Sequence, residues 1–300
     1  MKLTHRQAVL LMIACTMMWS IAGVVTRHLE QARSFEVTFW RSFFTLVSLL
    51  IILPVIQGRA LLSKFKQGGM HLWVSGVCWS VMFTAFMTAL TMTSVANVLI
   101  TLSLGPMLTA LFARIFIGHK LPVRTLVAIA VAGAGIAYMY AAQINLSDMK
   151  QVTGMLVALG VPIAAAVNWT LVQHSQARGH DIDLVPAVMV GAFISSLVTL
   201  PLSMPFQATG QDVTLLAVLG LFQLAIPCTL AVVCARYLKA PEVSLLALLE
   251  IIFGIALAWL GANEKPGIPV LIGGSLVLGA LAFNEWLGMR QRAARAMINT

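Results

Sequence analysis

One acidic residue, Glu250, lies near the centre of a long apolar run of the sequence. If such a run crosses a bilayer, a carboxyl group at its centre costs about 3 kcal/mol on insertion scales. An acid kept at that depth is by default a candidate for handling protons or substrate, with a hydrogen-bonded structural role as the alternative. Arg41 is a cation inside another such run. It lies a turn from the end, where we expect it to extend outward toward Glu36, with a substrate role as its alternative.

Uncharged polar side chains lie within or at the ends of other apolar runs. Asn97 and Thr101 are four residues apart and so share one face of a helix. Serine and threonine can bond back to their own helix, whereas the amides of Asn and Gln have more groups to satisfy and favour contacts with another helix or a substrate. The polar candidates for a substrate site are Asn97, Thr101, Asn168, Gln223, Ser244 and Glu250.

Aromatic residues form a second group of candidates. Trp19, Trp79 and Trp169 lie deep in apolar runs, where an indole either packs between helices or lines a hydrated cavity. Phe83 is one turn beyond Trp79 and shares its face. With the polar groups, these rings predict an apolar, partly hydrated site that binds a small molecule by stacking and hydrogen bonding.

Glycine and proline indicate where the helices bend. Proline removes an i→i−4 hydrogen bond and kinks a helix. Gly105 and Pro106 are adjacent in the middle of one apolar run, and Pro227 lies in the middle of another. We predict that Gly105, Pro106 and Pro227 act as hinges.

Catalysis has no recognisable signature in this chain. The six histidines lie in polar connections or at the ends of apolar runs, and none is spaced from Ser, Cys or a carboxylate as in a known catalytic motif. The four cysteines lie in apolar runs without metal-ligand spacing, and no glycine-rich phosphate loop is present. The sequence therefore predicts no catalytic residue, no metal site, no cofactor and no enzymatic activity.

Composition identifies the solvent of this chain as lipid. Hydrophobic residues make up 60% of the sequence, charged residues 10%, and the mean hydropathy is +0.93. A soluble domain carries about 25% charged residues. The net charge of +9 resembles that of a nucleic-acid-binding protein, but the basic residues lie in short connections between apolar runs, as in membrane proteins. We predict contact with a bilayer and none with nucleic acid.

The apolar runs predict an all-α integral membrane protein with ten transmembrane helices. Each run has about the 20 residues that a bilayer requires. With the N-terminus inside, fourteen of the 19 Lys and Arg residues lie on one side and four on the other, which places both termini in the cytoplasm of a bacterial inner-membrane protein. The predicted spans are 8–27, 37–57, 71–93, 95–117, 123–142, 153–175, 184–204, 213–235, 242–262 and 267–288.

A weak repeat divides the chain into residues 1–147 and 148–300. Residues 94–138 and 239–283 share one pattern of two apolar helices around a polar turn, and those turns are 145 residues apart. Five spans per half is an odd number, so the second half would be inverted, with a central cavity near the midplane between the halves. We expect a monomer, with a dimer through the glycine-rich faces of the fifth and tenth spans left open.

The residues resemble the drug/metabolite transporter superfamily, in its EamA-domain branch. The segment SLLALLEIIFGIALAWLGANEK is similar to a phrase of that family in which Glu250 matches the first acid and Glu264 the last. Ile251 replaces the usual proline. In the first half Pro106 is kept, while Gly105 and His119 replace the two acids.

Within that family the whole chain is most similar to the YddG-type aromatic amino acid exporters. The resemblance implies export of aromatic amino acids, and of amphipathic cations such as methyl viologen as a further possibility, from a cavity between spans 1, 3, 4, 6, 8 and 9. We expect a secondary transporter that works by alternating access. The alternatives are a passive channel or facilitator, another metabolite exchanger on the same fold, and a membrane scaffold without transport.

Overall fold

All regular structure in the described part of the chain is helical. The computed structural model describes residues 3–32, 34–58, 60–117, 123–143, 149–177, 184–234, 237–238, 246–247 and 249–298. Its helices are α1 (His5–Thr26), α2 (Ser34–Gln57), α3 (Ala60–Met92), α4 (Val95–Leu102), α5 (Gly105–Ile117), α6 (Val123–Gln143), α7 (Met149–Ala177), α8 (Val185–Thr199), α9 (Gly210–Val218), a π-helical segment (Leu219–Ala225), α10 (Ile226–Cys234), α11 (Leu249–Ala262) and α12 (Ile268–Ile298).

Seven helical stretches of the described residues are long and apolar enough to cross a membrane. Three further apolar helices, Val123–Met139, Val185–Thr199 and Leu249–Ala262, are shorter. The prediction of an all-helical membrane protein is confirmed. The number of ten spans and the inverted repeat stay predictions. The seven stretches are His5–Thr26, Phe35–Gln57, Gln67–Met92, Val95–Phe112, Met149–Leu171, Gly210–Cys234 and Ile268–Gly288.

Polar caps fix where several helices begin. The Thr4 hydroxyl accepts the Gln7 backbone N–H, and the Gln7 side chain accepts the Thr4 N–H, a reciprocal capping box at the start of α1. Ser94 caps α4 in the same way, by accepting the Asn97 N–H. Because α3 ends at Met92, the chain reverses between α3 and α4 in a tight turn.

Helix α3 begins eleven residues before the predicted start of the third span. It starts at Ala60 and continues through Gly69, whose φ of 47° and ψ of −140° break the helical path. A positive φ of this kind is open to glycine at little cost, which explains the residue at the kink. Hydropathy indicates which residues lie in lipid, and it places the membrane boundary near residue 71. It does not indicate that a polar helix precedes this boundary.

Two of the predicted spans contain a break. The fourth is divided into α4 and α5 at Ser103 and Leu104, directly before Gly105. The eighth consists of α9, the π-helical segment and α10. Both breaks adjoin residues that the sequence analysis predicts as hinges.

The glycine-rich faces of α6 and α12 pack against each other within the chain. A Cβ placed on Gly135 would lie 2.8 Å from the Gly273 carbonyl oxygen, and one on Gly273 would lie 2.5 Å from the Gly135 carbonyl oxygen. Only glycine permits this approach of two helix backbones. Gly135 and Gly273, which belong to the faces left open for a dimer, are thus in contact within one chain.

Carboxylates join several loops at one end of the molecule, which we call the tied end (residues 27–32, 34–36, 93–95, 207–212 and 264). Arg27 donates from Nε to Glu264 at 2.7 Å and from its two Nη atoms to the carbonyl oxygens of Leu90 and Thr93. Glu264 also accepts the Val95 N–H at 2.6 Å. One ion pair therefore links the ends of α1, α3 and α11 with the start of α4.

Candidate functional site

Arg41 is fully buried in the interior of the protein, on the first third of α2. Its Nη1 donates to Gln223 Oε1 at 3.1 Å and its Nη2 to the Phe83 carbonyl oxygen at 2.7 Å. The expectation that Arg41 extends outward to Glu36 is wrong. Glu36 is itself buried and accepts the backbone N–H groups of Gln207 and Ala208 at the tied end.

Gln223 reaches Arg41 from the π-helical segment. Its carboxamide oxygen accepts from the guanidinium, while Nε2 donates to the Trp19 carbonyl oxygen at 3.4 Å. Pro227 follows four residues later and has no N–H for the Gln223 carbonyl, so the regular ladder is interrupted at this point. The N–H of Ile226 instead bonds to the Leu221 carbonyl, five residues back. Such π-turns occur frequently at functional sites.

Glu250 lies beside α1, at the first turn of α11. The Ser20 hydroxyl donates to the Glu250 backbone carbonyl at 3.0 Å, which fixes this part of α11 against α1. The residue is half-buried, and its carboxylate has no hydrogen-bond partner among the residues that the structure describes. The Cys228 thiol lies within electrostatic range of both the Arg41 guanidinium and the Glu250 carboxyl. A cation and an acid therefore flank one small region.

Aromatic side chains line the same region. Trp79 and Phe83 have ring centroids 5.5 Å apart on α3. Trp19 and Trp79 both pack, half-buried, against a buried cluster that includes Phe83 and Cys228. The Phe83 and Phe86 rings lie 6.0 and 5.6 Å from the guanidinium carbon of Arg41, within cation–π range.

The structure thus brings together five of the ten predicted substrate-binding residues, and adds one that the prediction lacked. The five are Trp19, Trp79, Phe83, Gln223 and Glu250, and the addition is Arg41. We call these six residues the central assembly. They come from α1, α2, α3, the π-helical segment and α11. The signal for Arg41 was present in the sequence, as a cation inside an apolar run.

Three other predicted residues have partners outside the central assembly. The Asn97 carboxamide donates to Thr93 Oγ1 at 3.0 Å, and the Thr101 hydroxyl donates to the Asn97 carbonyl, so both bond close to the start of α4. Asn168 Oδ1 accepts the Ser75 hydroxyl at 2.6 Å and helps to join α7 to α3. Each is buried. A substrate role for these residues stays a prediction.

The remaining predicted residues have no described contact with the central assembly. Trp169 is half-buried on α7, and Ser244 lies outside the described residues. Gly105 and Pro106 begin α5 directly after the break, and Pro227 is the second residue of α10. Their role as hinges stays a prediction.

Metal-binding groups are not formed by the described side chains. No three His, Cys, Asp or Glu residues of the described part come close enough together to hold a metal ion. All four cysteines are free and buried. The central assembly therefore offers hydrogen bonds, charge and aromatic faces, which bind solutes without covalent chemistry.

The sequence was compared with profiles of known protein families. The profile of the EamA-like transporter family matches residues 6–141 and again residues 152–285. The chain belongs to the EamA-like transporter family and is a multi-pass membrane protein. The predicted superfamily and its EamA branch are confirmed, whereas the aromatic amino acid exporter subtype stays a prediction.

Two curated relatives match over nearly the full length. They are the pseudopaline exporters CntI of two Pseudomonas aeruginosa strains, UCBPP-PA14 and PAO1, each 24% identical over 281 residues, with 92% of this chain and 94% of the relative covered. A solved crystal structure aligns over 95% of this chain and 99% of its own, with a TM-score of 0.64 and 17% identity. The structural likeness at this identity supports the fold alone.

Proposed function

We propose that this protein is a secondary exporter of amphipathic, amino-acid-type solutes, with aromatic amino acids as the first candidates. The observation that carries the proposal is the central assembly, in which Arg41 and Glu250 flank a region lined by indole and phenyl rings. Charged groups this deep in a membrane protein are costly and are retained mainly for function. The pseudopaline exporters among the relatives support export as the direction of transport.

Alternating access between two inverted halves, residues 1–147 and 148–300, is the mechanism that we propose. The two matches to the family profile support this division. Trp19, Arg41 and Phe83 come from the first half, and Gln223 and Glu250 from the second, so a rocking motion between the halves would open and close the assembly. Gly105, Pro106 and Pro227 would bend the helices during that motion.

The proposed substrate site includes the central assembly and the remaining predicted residues. Arg41 is included because its guanidinium donates to the Gln223 carboxamide. We keep the other residues as candidates for a larger or alternative subsite, reached when the halves move. These are Asn97, Thr101, Asn168, Trp169 and Ser244.

We also propose a monomer in a bacterial inner membrane with both termini in the cytoplasm. The charge distribution in the sequence supports the orientation. The packing of Gly135 against Gly273 supports the monomer, because it occupies part of the small-residue faces that a dimer would need.

Counterflow in proteoliposomes tests the function. Purified protein is reconstituted and assayed with a panel of aromatic, aliphatic and acidic amino acids and methyl viologen, with and without a pH gradient. A carrier gives trans-stimulated uptake of at least one amino acid, whereas a channel gives flux without trans-stimulation. Absence of counterflow for every amino acid of the panel would overturn the proposal.

Variants connect that flux to the site. Trp79→Ala and Trp169→Ala should each weaken uptake of labelled substrate, because each removes an aromatic face. Unchanged uptake in either variant removes that residue from the site. If Glu250 handles protons, Glu250→Gln should abolish dependence on the pH gradient while exchange continues.

A further inference from the structure

The Arg41 guanidinium has no carboxylate partner among the described residues. Its two hydrogen bonds go to neutral acceptors, the Gln223 carboxamide and the Phe83 carbonyl. Its Nε is buried and has no hydrogen-bond partner. Burial of a charge without a counter-charge is strongly unfavourable, so a residue kept in this condition needs a reason beyond packing.

The N–H donors of Arg41 that have no acceptor among the described residues are arranged to bind a carboxylate. A guanidinium has five N–H donors in a planar fork, and two of them are used by the described residues. The free Nε–H and a neighbouring Nη–H form the pair that binds the two oxygens of a carboxylate side by side. Gln223 and Phe83 hold the fork in place, so little side-chain entropy remains to be lost on binding.

A group of the opposite charge lies in the same region. Glu250 is half-buried without a described hydrogen-bond partner, and Cys228 lies within electrostatic range of both Glu250 and Arg41. No ion pair joins Arg41 and Glu250 in the described part of the structure. Trp19 adjoins both, since its carbonyl accepts from Gln223 and the next residue, Ser20, bonds to the Glu250 carbonyl.

We propose that Arg41 binds the carboxylate of a zwitterionic solute whose ammonium group faces Glu250. The apolar body of the solute lies against Trp19 and Trp79. This assignment rests on the proposed function and names the substrate class of that same site. One cation and one acid beside the same rings suit a zwitterion better than a dianion such as phosphate or a simple amphipathic cation.

A purely structural role for Arg41 is the competing explanation. The rings of Phe83 and Phe86 stabilise the cation to some degree, as cation–π contacts do. Removal of Arg41 alone would not distinguish the two roles, because both predict weaker transport by the variant. The distinguishing tests change the charge balance of the site or the charges of the ligand.

Three related probes separate the charges of the ligand: phenylalanine, its decarboxylated amine 2-phenylethylamine, and its deaminated acid 3-phenylpropionate. Each probe is measured by its apparent affinity as a competitor of counterflow. Arg41→Gln should lower the apparent affinity of phenylalanine and of 3-phenylpropionate at least about 30-fold, and should leave that of 2-phenylethylamine within about threefold. Glu250→Gln should weaken phenylalanine and 2-phenylethylamine and spare 3-phenylpropionate. Ser42→Ala, which removes a buried hydroxyl bonded to Ser195, is the matched control with unchanged selectivity.

Gln223→Glu tests the same idea without removing Arg41. The new carboxylate would pair with the guanidinium, which should preserve or raise thermal stability and lower the affinity for phenylalanine and 3-phenylpropionate about 30-fold or more. If Arg41 had only a structural role, Gln223→Glu would raise thermal stability without lowering the affinity for the two acids. This result would overturn the proposal. So would an equal loss for all three probes in Arg41→Gln.

The two proposals fail in different ways. If the wild-type protein shows no counterflow of any zwitterion, the proposed function is overturned and this assignment falls with it. If the wild type exchanges amino acids while the variants do not separate acids from amines, the carboxylate-binding role of Arg41 alone is overturned.

Discussion

Asp212 accepts hydrogen bonds from four backbone N–H groups at the tied end. The donors are Glu30, Gln31, Ala32 and Thr209, at 2.7 to 3.2 Å from its carboxylate oxygens. Asp212 is fully buried and also lies in the capping box of α9. Backbone donors satisfy its charge in place of a cation, and in doing so they fix the α1–α2 loop against the start of α9.

Replacement of Asp212 by Asn should destabilise the protein by about 2 kcal/mol. The amide keeps one acceptor oxygen and adds two donors that face the same N–H groups. The expected result is a fall in Tm of about 3 °C for a chain of 300 residues, measured on detergent-solubilised protein. Glu30→Gln is the control, because Glu30 is exposed and accepts only a hydroxyl, from Thr209. Equal shifts in the two variants would contradict the role of the buried carboxylate.

Arg41 shows where reasoning from sequence stops at the scale of a residue. Its position one turn inside an apolar run is readable, and so is the cost of its charge. Whether the side chain turns outward to Glu36 or inward to Gln223 depends on which helix packs against α2. That helix, with its π-turn, is separated from Arg41 by 182 residues of sequence. Local pattern carries no information on such a contact, whereas the depth of Trp19, Trp79, Gln223 and Glu250 was enough to group them.

At the scale of elements, the π-helical segment is the feature that orients Gln223. Restoring an N–H with Pro227→Ala should let this part of the helix return to the α-helical ladder, because the Gln223 carbonyl gains a donor four residues on. Loss of the extra π-turn residue would rotate Gln223 away from Arg41. We expect equal or higher thermal stability and about tenfold weaker substrate affinity, measured by melting curves and competition for counterflow.

Pro186→Ala is the matched control for that variant. Pro186 is the second residue of α8, where an N–H has no acceptor within the helix. Its replacement should leave transport unchanged. Unaltered substrate affinity in Pro227→Ala would separate the π-turn from the site.

The helices themselves were largely predictable, and their irregularities were predictable in part. Hydropathy locates apolar runs because burial in lipid demands about 20 apolar residues, and the positions of α1, α2 and α7 follow. Pro227 and Gly105-Pro106 marked both broken spans. The polar helix before Gly69 was missed, because its sequence has no membrane signal.

At the scale of the whole molecule, α6 packs against α12 and so joins the middle of the sequence to its last described helix. Gly273→Ala should destabilise the protein by about 1–3 kcal/mol, because the new methyl group would meet the Gly135 carbonyl at 2.5 Å. Gly279→Ala, in the same helix with no atom within 4 Å, should have the opposite sign, since alanine favours a helix over glycine. Thermal melts compare the two, and destabilisation by both would contradict the packing.

The orientation of the molecule in the membrane follows from the tied end. Four loops meet there, those that follow α1, α3, α8 and α11, and the charge distribution predicts that this side faces away from the cytoplasm. Helix α12 starts next to this end and Arg290 lies 22 residues into it, about 33 Å away at 1.5 Å per residue. Gln67, before the kink of α3, belongs to the far end in the same way.

Single cysteines introduced at exposed positions test that orientation. Gln31→Cys and Gln207→Cys at the tied end should react with a membrane-impermeant maleimide on intact cells, whereas Gln67→Cys and Arg290→Cys should react only after the membrane is opened. The four native cysteines are buried and should give little background. The reverse labelling pattern would show that the tied end faces the cytoplasm, which is opposite to the predicted orientation. If only one of Gln31→Cys and Gln207→Cys reacted on intact cells, an odd number of spans would separate two loops that the structure joins. The tied end could then not lie on one side of the bilayer.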